Sequence, residues 1–219
     1  MPEKRPNKAQ RREEAKRQRA AEIRRRARAQ TMRKVRIALS VALLVGAVAG
    51  LVLFSSARGR QARNQLAALA STAGCGPLRS PPDLGRTPHL AANETFDYNS
   101  NPPTSGRHDP SPSQTGIHTD LIPDRNQVHN LEHGHVGIQY RDDLGALAVP
   151  LAQVVRSNST RIFLAPRPEL KAKLAFTAWD HLIACDNPND GVVALAKEWV
   201  KQFAGKGPEG DLPGQPIGV

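Results

Sequence analysis

The sequence predicts one N-terminal transmembrane helix followed by a compact exported domain of mixed α+β (α/β) class, a small mixed sheet with helices packed on it. Three observations carry that expectation. Residues 37–54, IALSVALLVGAVAGLVLF, are eighteen positions without a charge. The thirty-six residues before them carry fifteen Lys and Arg. From about residue 135 onward, apolar runs of strand and helix spacing follow in the order β-α-β-β-α.

Eighteen residues at the helical rise span about 27 Å, close to the ~30 Å hydrocarbon core of a bilayer. Arg36 and Arg58 flank the run and can snorkel to the two interfaces. Residues 1–36 hold fifteen basic and four acidic side chains, a net +11 that equals the net charge of the whole chain. Residues 37–219 therefore balance, and the positive-inside rule puts the N-terminus in the cytoplasm and the rest outside. Arg58, Arg60 and Arg63 argue the other way but are outnumbered. The expected location is the plasma membrane, single-pass. A cleaved signal peptide, with Ser55-Ser56-Ala57 as its site, is the competing reading. The basic lead and the apolar run both exceed signal-peptide dimensions, the h-region being only ~7–15 residues.

The basic tail, 1–36, is expected to lie against anionic lipid. No aromatic residue interleaves its arginines, so no base-stacking surface is evident and no nucleic acid is expected. In the membrane segment, 37–57, Ala38, Ala42, Gly46 and Gly50 recur every four residues. Such a stripe lets two helices approach closely, and a homodimer through Ala42, Gly46 and Gly50 is the corresponding expectation. Ala and Gly are also simply common in such helices.

Residues 58–74 read as a helical stalk ending at Gly74, 75–204 as the exported domain, and 205–219, rich in Gly and Pro, as a flexible tail. Within the domain, CGPLRSPPDLG and NSNPPTSGRHDPSPSQTG are loops whose prolines fix their turns. HVGIQY at 135–140 reads as a strand, 144–156 as a helix with Pro150 a kink or an early boundary, and 160–166 as a buried strand. KLAFTAW at 173–179 reads as a further strand, continued by HLIAC, and 192–203 as a closing helix. That order resembles the later half of a thioredoxin-like domain, but no Cys-x-x-Cys is present and thiol redox chemistry is not implied. The two cysteines, Cys75 and Cys185, both fall on the outer side, where a disulfide is permitted and expected.

All seven histidines lie beyond the membrane segment, and five fall within residues 108–135. Three readings compete. His129 and His133 share a face if they sit on one helical turn, and His108 or His89 would add a third nitrogen for zinc or copper. His-x-x-Glu-His at 129–133 also matches an inverzincin pattern with Glu132 as general base, although Gly134 ends any helix at once. Finally, the histidines can serve as hydrogen-bonded struts that lock loops against the sheet. If residue 133 begins a strand, His133 and His135 share a face instead. His118 and His181 are isolated and read as surface or packing residues. Asn93-Glu94-Thr95 and Asn158-Ser159-Thr160 match glycosylation sequons, a pattern frequent by chance.

Asn101-Pro102-Pro103-Thr104-Ser105-Gly106-Arg107-His108 and Val128-His129-Asn130-Leu131-Glu132-His133-Gly134 together resemble a bacterial family catalogued as domain of unknown function 3105. The similarity runs from about His89 through Trp179, with Ala165-Pro166-Arg167-Pro168 and Thr177-Ala178-Trp179 fitting later segments. The resemblance implies a small protein with one membrane helix and an exported domain, and implies no reaction. The family more often has Pro at Arg107, an aromatic at His118 and a residue other than His at His135, which favours His89, His108, His129 and His133 as the site histidines. The expected function is thus a membrane-anchored extracytoplasmic protein whose loop surface binds zinc or copper through those four residues. Pro102, Pro103, Thr104, Ser105, Gly106, Leu131, Glu132 and Gly134 build the surface around them. A membrane-tethered scaffold with structural histidines is the rival, and a metal-dependent hydrolase using Glu132 is the third reading.

Overall fold

The computed structural model describes residues 8–219. The first seven residues of the basic tail lie outside the described residues. The chain divides into two compact units, Met1–Gly59 and Arg60–Val219.

In the first unit the described residues belong to one helix, α1 (Lys8–Thr72), which continues into the second unit. It is long and apolar enough to cross a membrane. Leu43 and Leu51 are 76% and 68% exposed, and among the described residues nothing buries this apolar stretch. Open space surrounds Gly46 and Gly50 where a side chain would stand.

The second unit is built on a six-stranded sheet of order β5-β4-β2-β3-β1-β6. Its strands are β1 (Thr115–Ile117), β2 (Val136–Tyr140), β3 (Ile162–Pro166), β4 (Leu174–Ala178), β5 (His181–Cys185) and β6 (Pro216–Ile217). The helices are α2 (Asp124–Glu132), α3 (Ala148–Arg156), entered through a 3-10 turn at Gly145–Leu147, and α4 (Gly191–Phe203). The fold class is therefore mixed α+β. The crossover through α3 makes β2 and β3 parallel, whereas β4 runs antiparallel to both β2 and β5.

Side-chain alternation along the strands divides the core in two. Val136, Ile138, Ile162, Leu164, Leu174 and Phe176 pack with α3, α4 and the end of α1. Phe163 and Ala165 face the other way, with Leu131 of α2 and Ile122. Both faces of the central strands are covered, which is why β4 is buried at every position rather than at alternate ones. The second face also carries a polar seam. Thr177 donates to Gln139 Oε1, Gln139 donates to Gln127 Oε1, and Gln127 donates to the Pro103 carbonyl at 3.1 Å. This chain of amides ties β4, β2 and α2 to the Pro-Pro-Thr-Ser-Gly segment.

Two expectations are corrected. Residues 58–74 are not a free stalk: Leu66, Ala70 and Ala73 are fully buried in the main core, and Gln202 donates to the Ala62 carbonyl at 2.8 Å. Their i, i+4, i+7 spacing is that of a core-facing helix stripe. Residues 205–219 are not a loose tail either. Pro216 and Ile217 extend the sheet beside β1, and Asp211 forms a two-pronged ion pair with Arg161, at 2.6 and 2.7 Å. That pair holds the Asp211 carboxyl below its ordinary range.

Cys75 and Cys185 form a disulfide. It joins the turn after α1 to the end of β5, where Gly76 and Arg79 also donate backbone hydrogen bonds to Ala184 and Leu182.

Candidate metal centre

α2 is the platform of the site. Pro123 precedes its first turn, and Asp124 at its start pairs with Arg167 at 2.6 Å. Arg167 is 3% exposed and also donates to Asn101 Oδ1 at 2.8 Å, so the helix entry is clamped to the Pro-Pro segment. At the other end, Gly134 takes φ +78°, a conformation that lets the chain leave α2 and enter β2 within two residues. A side chain there would also stand 2.6 Å from the Gly210 carbonyl oxygen.

His129 and Glu132 sit on the last turn of this helix, and His133 is its C-cap. His108 comes from the Pro-rich loop, where Gly106 at φ +129° lets that loop's backbone pass against Phe96 and Tyr98. His89 is brought in by a separate segment. Arg107 holds that segment through an ion pair with Glu94 and donor bonds to the Pro88 and His89 carbonyls at 2.8 and 3.3 Å. The Arg107 guanidinium also holds the Glu94 carboxyl below its usual range.

His89, His108, His129 and Glu132 each offer one ligand atom, and these atoms all lie within 4.8 Å of one another. The rings of His89 and His129 stack at 5.4 Å, with His108 5.0 and 4.9 Å from the two. This cluster can hold a metal ion. His108, His129 and Glu132 are buried, while His89 is exposed and forms the outer edge.

The hydrogen bonds fix which nitrogens face inward. His108 Nδ1 donates to the Gly106 carbonyl at 2.8 Å, and His129 Nδ1 donates to the Asp109 carbonyl at 2.6 Å. With Nδ1–H so engaged, each ring turns its Nε2 toward the cluster. His108 Nε2 then meets Glu132 Oε2 at 2.9 Å. A ring nitrogen and a carboxylate oxygen at that distance share a proton or, in its place, a metal ion. Burial, the chief cause, pushes His129 down to about 4, with the Asp109 carbonyl opposing and the neighbouring histidines adding to the shift. The ring is therefore a neutral donor of its lone pair at ordinary pH. Backbone carbonyls orienting the far nitrogen are the usual outer support of metal-bound histidine.

Of the other histidines, His133 adjoins this group: its Nε2 lies 3.0 Å from His129 Nε2 and 3.3 Å from Glu209 Oε2. His135 has both nitrogens engaged, Nδ1 by Asn130 at 2.9 Å and Nε2 by the Leu212 carbonyl at 2.7 Å. His118 bonds the Gln114 carbonyl, and His181 bonds the Trp179 carbonyl and packs on Phe203. Arg86, 3.9 Å from Glu132 Oε1, and Glu209 are site neighbours that the sequence did not single out. Neither belongs to a motif, and the fold alone delivers them.

Residues 89–215, more than half of the 219, match the family model described as protein of unknown function, DUF3105. The chain belongs to this family. No curated protein and no solved structure matches it. The DUF3105 segment contains all four members of the cluster, together with His133 and Glu209. It also reaches past β5 and α4 into the closing segment that packs over the end of α2.

His135 gives this DUF3105 domain a testable acid response. Burial, the largest cause, pushes its ring from the ordinary 6.5 down to about 4. In the unfolded chain the same ring takes up a proton near 6.5. Between those values the unfolded state binds more protons, so stability present at neutral pH is lost as pH falls through that window. Urea titrations at pH 7 and 4.5 should show a loss of roughly 2 kcal/mol from this residue. A His135→Gln variant should lose correspondingly less on acidification.

Proposed function

We propose that this protein is a membrane-anchored, extracytoplasmic metal-binding protein, holding a divalent transition metal, zinc or copper, at His89, His108, His129 and Glu132. The observation that carries the reading is the inward turn of His108 and His129 Nε2 in a cluster whose four ligand atoms, the buried Glu132 carboxylate among them, lie within 4.8 Å of one another. Three imidazoles and one carboxylate form a donor set suited to zinc and copper, and less so to magnesium or calcium. Glu132 acts as a ligand here. Its oxygen lies among the histidine nitrogens, so it is not left free as a general base, and hydrolysis is not part of the proposal.

The anchor is α1, with the basic tail in the cytoplasm against anionic lipid and the disulfide-bonded domain outside. The charge asymmetry of residues 1–36 and the disulfide support that orientation. An alkaline phosphatase fusion at Val219 should be active, and a cytosolic reporter at the same position should stay dark. The reverse pattern would remove the exported site. Metal binding is tested separately, on full-length protein purified in detergent without a histidine tag. After exposure to zinc and mild dialysis, elemental analysis should find zinc retained, and a metal-free protein would refute the reading.

A further inference from the structure

We propose a second metal position beside the first, sharing Glu132 and completed by His133 and Glu209; it rests on the reading of the first cluster as a metal centre. These three residues each offer a ligand atom, and the atoms all lie within 4.8 Å of one another. Glu132 belongs to both groups. Its two oxygens are turned to different neighbours: Oε2 meets His108 Nε2 at 2.9 Å, and Oε1 faces Arg86 at 3.9 Å. A carboxylate so divided can bridge two ions about 3.5–4 Å apart, the spacing of paired-metal sites.

The backbone places Glu209 with care. Glu209 N–H donates to the Glu132 carbonyl at 3.1 Å, Gly205 N–H to the Gly134 carbonyl at 2.8 Å, and Leu212 N–H to the His133 carbonyl at 3.2 Å. A side chain at Gly207 would stand 2.2 Å from the same Glu132 carbonyl oxygen, so glycine there permits the close approach. The closing segment is thereby stitched onto the end of α2, and Glu209 is carried to His133 by that stitching.

His133 links the two positions. Its Nε2 lies 3.0 Å from His129 Nε2 and 3.3 Å from Glu209 Oε2. The cation now nearest Glu132 Oε1 is Arg86, whose side chain is 43% exposed. At 3.9 Å it makes a loose pair and is free to swing into solvent when an ion enters. His133 also lines a cavity of about 290 Å³ between Ser113–Gln114 and Pro213–Gly214.

The test is zinc stoichiometry by elemental analysis, on full-length untagged protein in detergent dialysed against buffered zinc. Two equivalents are expected in the parent and one in Glu209→Gln, whose side chain is 44% exposed and whose replacement disturbs no core. One equivalent in the parent overturns the second position and leaves the first standing. None overturns the first centre and, with it, the second. Two equivalents retained by Glu209→Gln overturn the assignment to Glu209. Copper loading gives a second readout. Two copper(II) ions bridged by one carboxylate should show a spin-coupled electron paramagnetic resonance spectrum, and a spectrum of two isolated ions overturns the shared ligand.

Discussion

Glu132→Gln is expected to weaken zinc binding by more than about 100-fold while leaving the metal-free protein close to the parent in stability. Loss of an outer-shell partner already costs a metal site about 10–100-fold, and loss of a directly bound carboxylate costs more. Glutamine has the same shape, so the buried position is filled without a void. Its amide can hydrogen-bond His108 Nε2, now 2.9 Å from the carboxylate. The variant therefore keeps one hydrogen bond at the His108 contact while removing the charged ligand oxygen. A purely structural role makes the opposite forecast. If His108 and Glu132 were a buried ion pair that held the loops, removing one partner would cost about 3–5 kcal/mol. Zinc titration calorimetry and urea unfolding in chelator, run on the same samples, separate the two roles.

The second large effect concerns the disulfide. Replacing both Cys75 and Cys185 by alanine is expected to lower stability by about 4–5 kcal/mol on the chain-entropy model. For a domain of this size each kcal/mol moves the midpoint by about 2–4 °C, so the fall should exceed about 8 °C. The size follows from the 110-residue separation of the two cysteines, which the bond closes in the unfolded chain as well as in the folded one. The bond also pins the end of α1 to the sheet. The residues on either side of it already exchange backbone hydrogen bonds with β5, so reduction should loosen this edge first. Thermal melts with and without reductant check the effect. Reductant should lower the parent's midpoint toward that of the double variant and leave the variant unchanged. Equal midpoints in all four samples would show that the bond contributes nothing.

The strands from 136 to 185 and the helices α3 and α4 could be read from the sequence because each carries its own apolar period. HVGIQY, RIFLAP and KLAFTA are short apolar runs stopped by loops or proline, and 192–203 has core-facing helix spacing. β1 and β6 could not be read, since Thr115–Ile117 and Pro216–Ile217 are too short to hold a pattern and exist through their neighbours' pairing. The same limit hid the role of residues 205–219, whose Gly and Pro read as a tail but serve as close-packing turns over α2. For residues 60–72 the helix itself was legible; its burial was not, because the small Ala side chains that pack against α4 look alike in a stalk and in a core.

The candidate site divided along the same line. Histidine density and the two motifs pointed to His89, His108, His129 and His133, and the i, i+4 pair His129 and His133 does meet, at 3.0 Å between the Nε2 atoms. What spacing did not show is that Glu132 faces His108 and that His133 also reaches Glu209. The carbonyls of Gly106 and Asp109, which select the inward nitrogens, belong to the backbone and leave no residue-type signal.

Zinc K-edge X-ray absorption on the full-length protein, loaded with less than one equivalent of zinc, examines the proposed centre directly. Nitrogen and oxygen neighbours at about 2.0–2.1 Å, outer-shell scattering from imidazole rings and no sulfur are the expected spectrum. An oxygen-only shell without imidazole scattering would contradict it, and the buried histidines would then be struts for the loops.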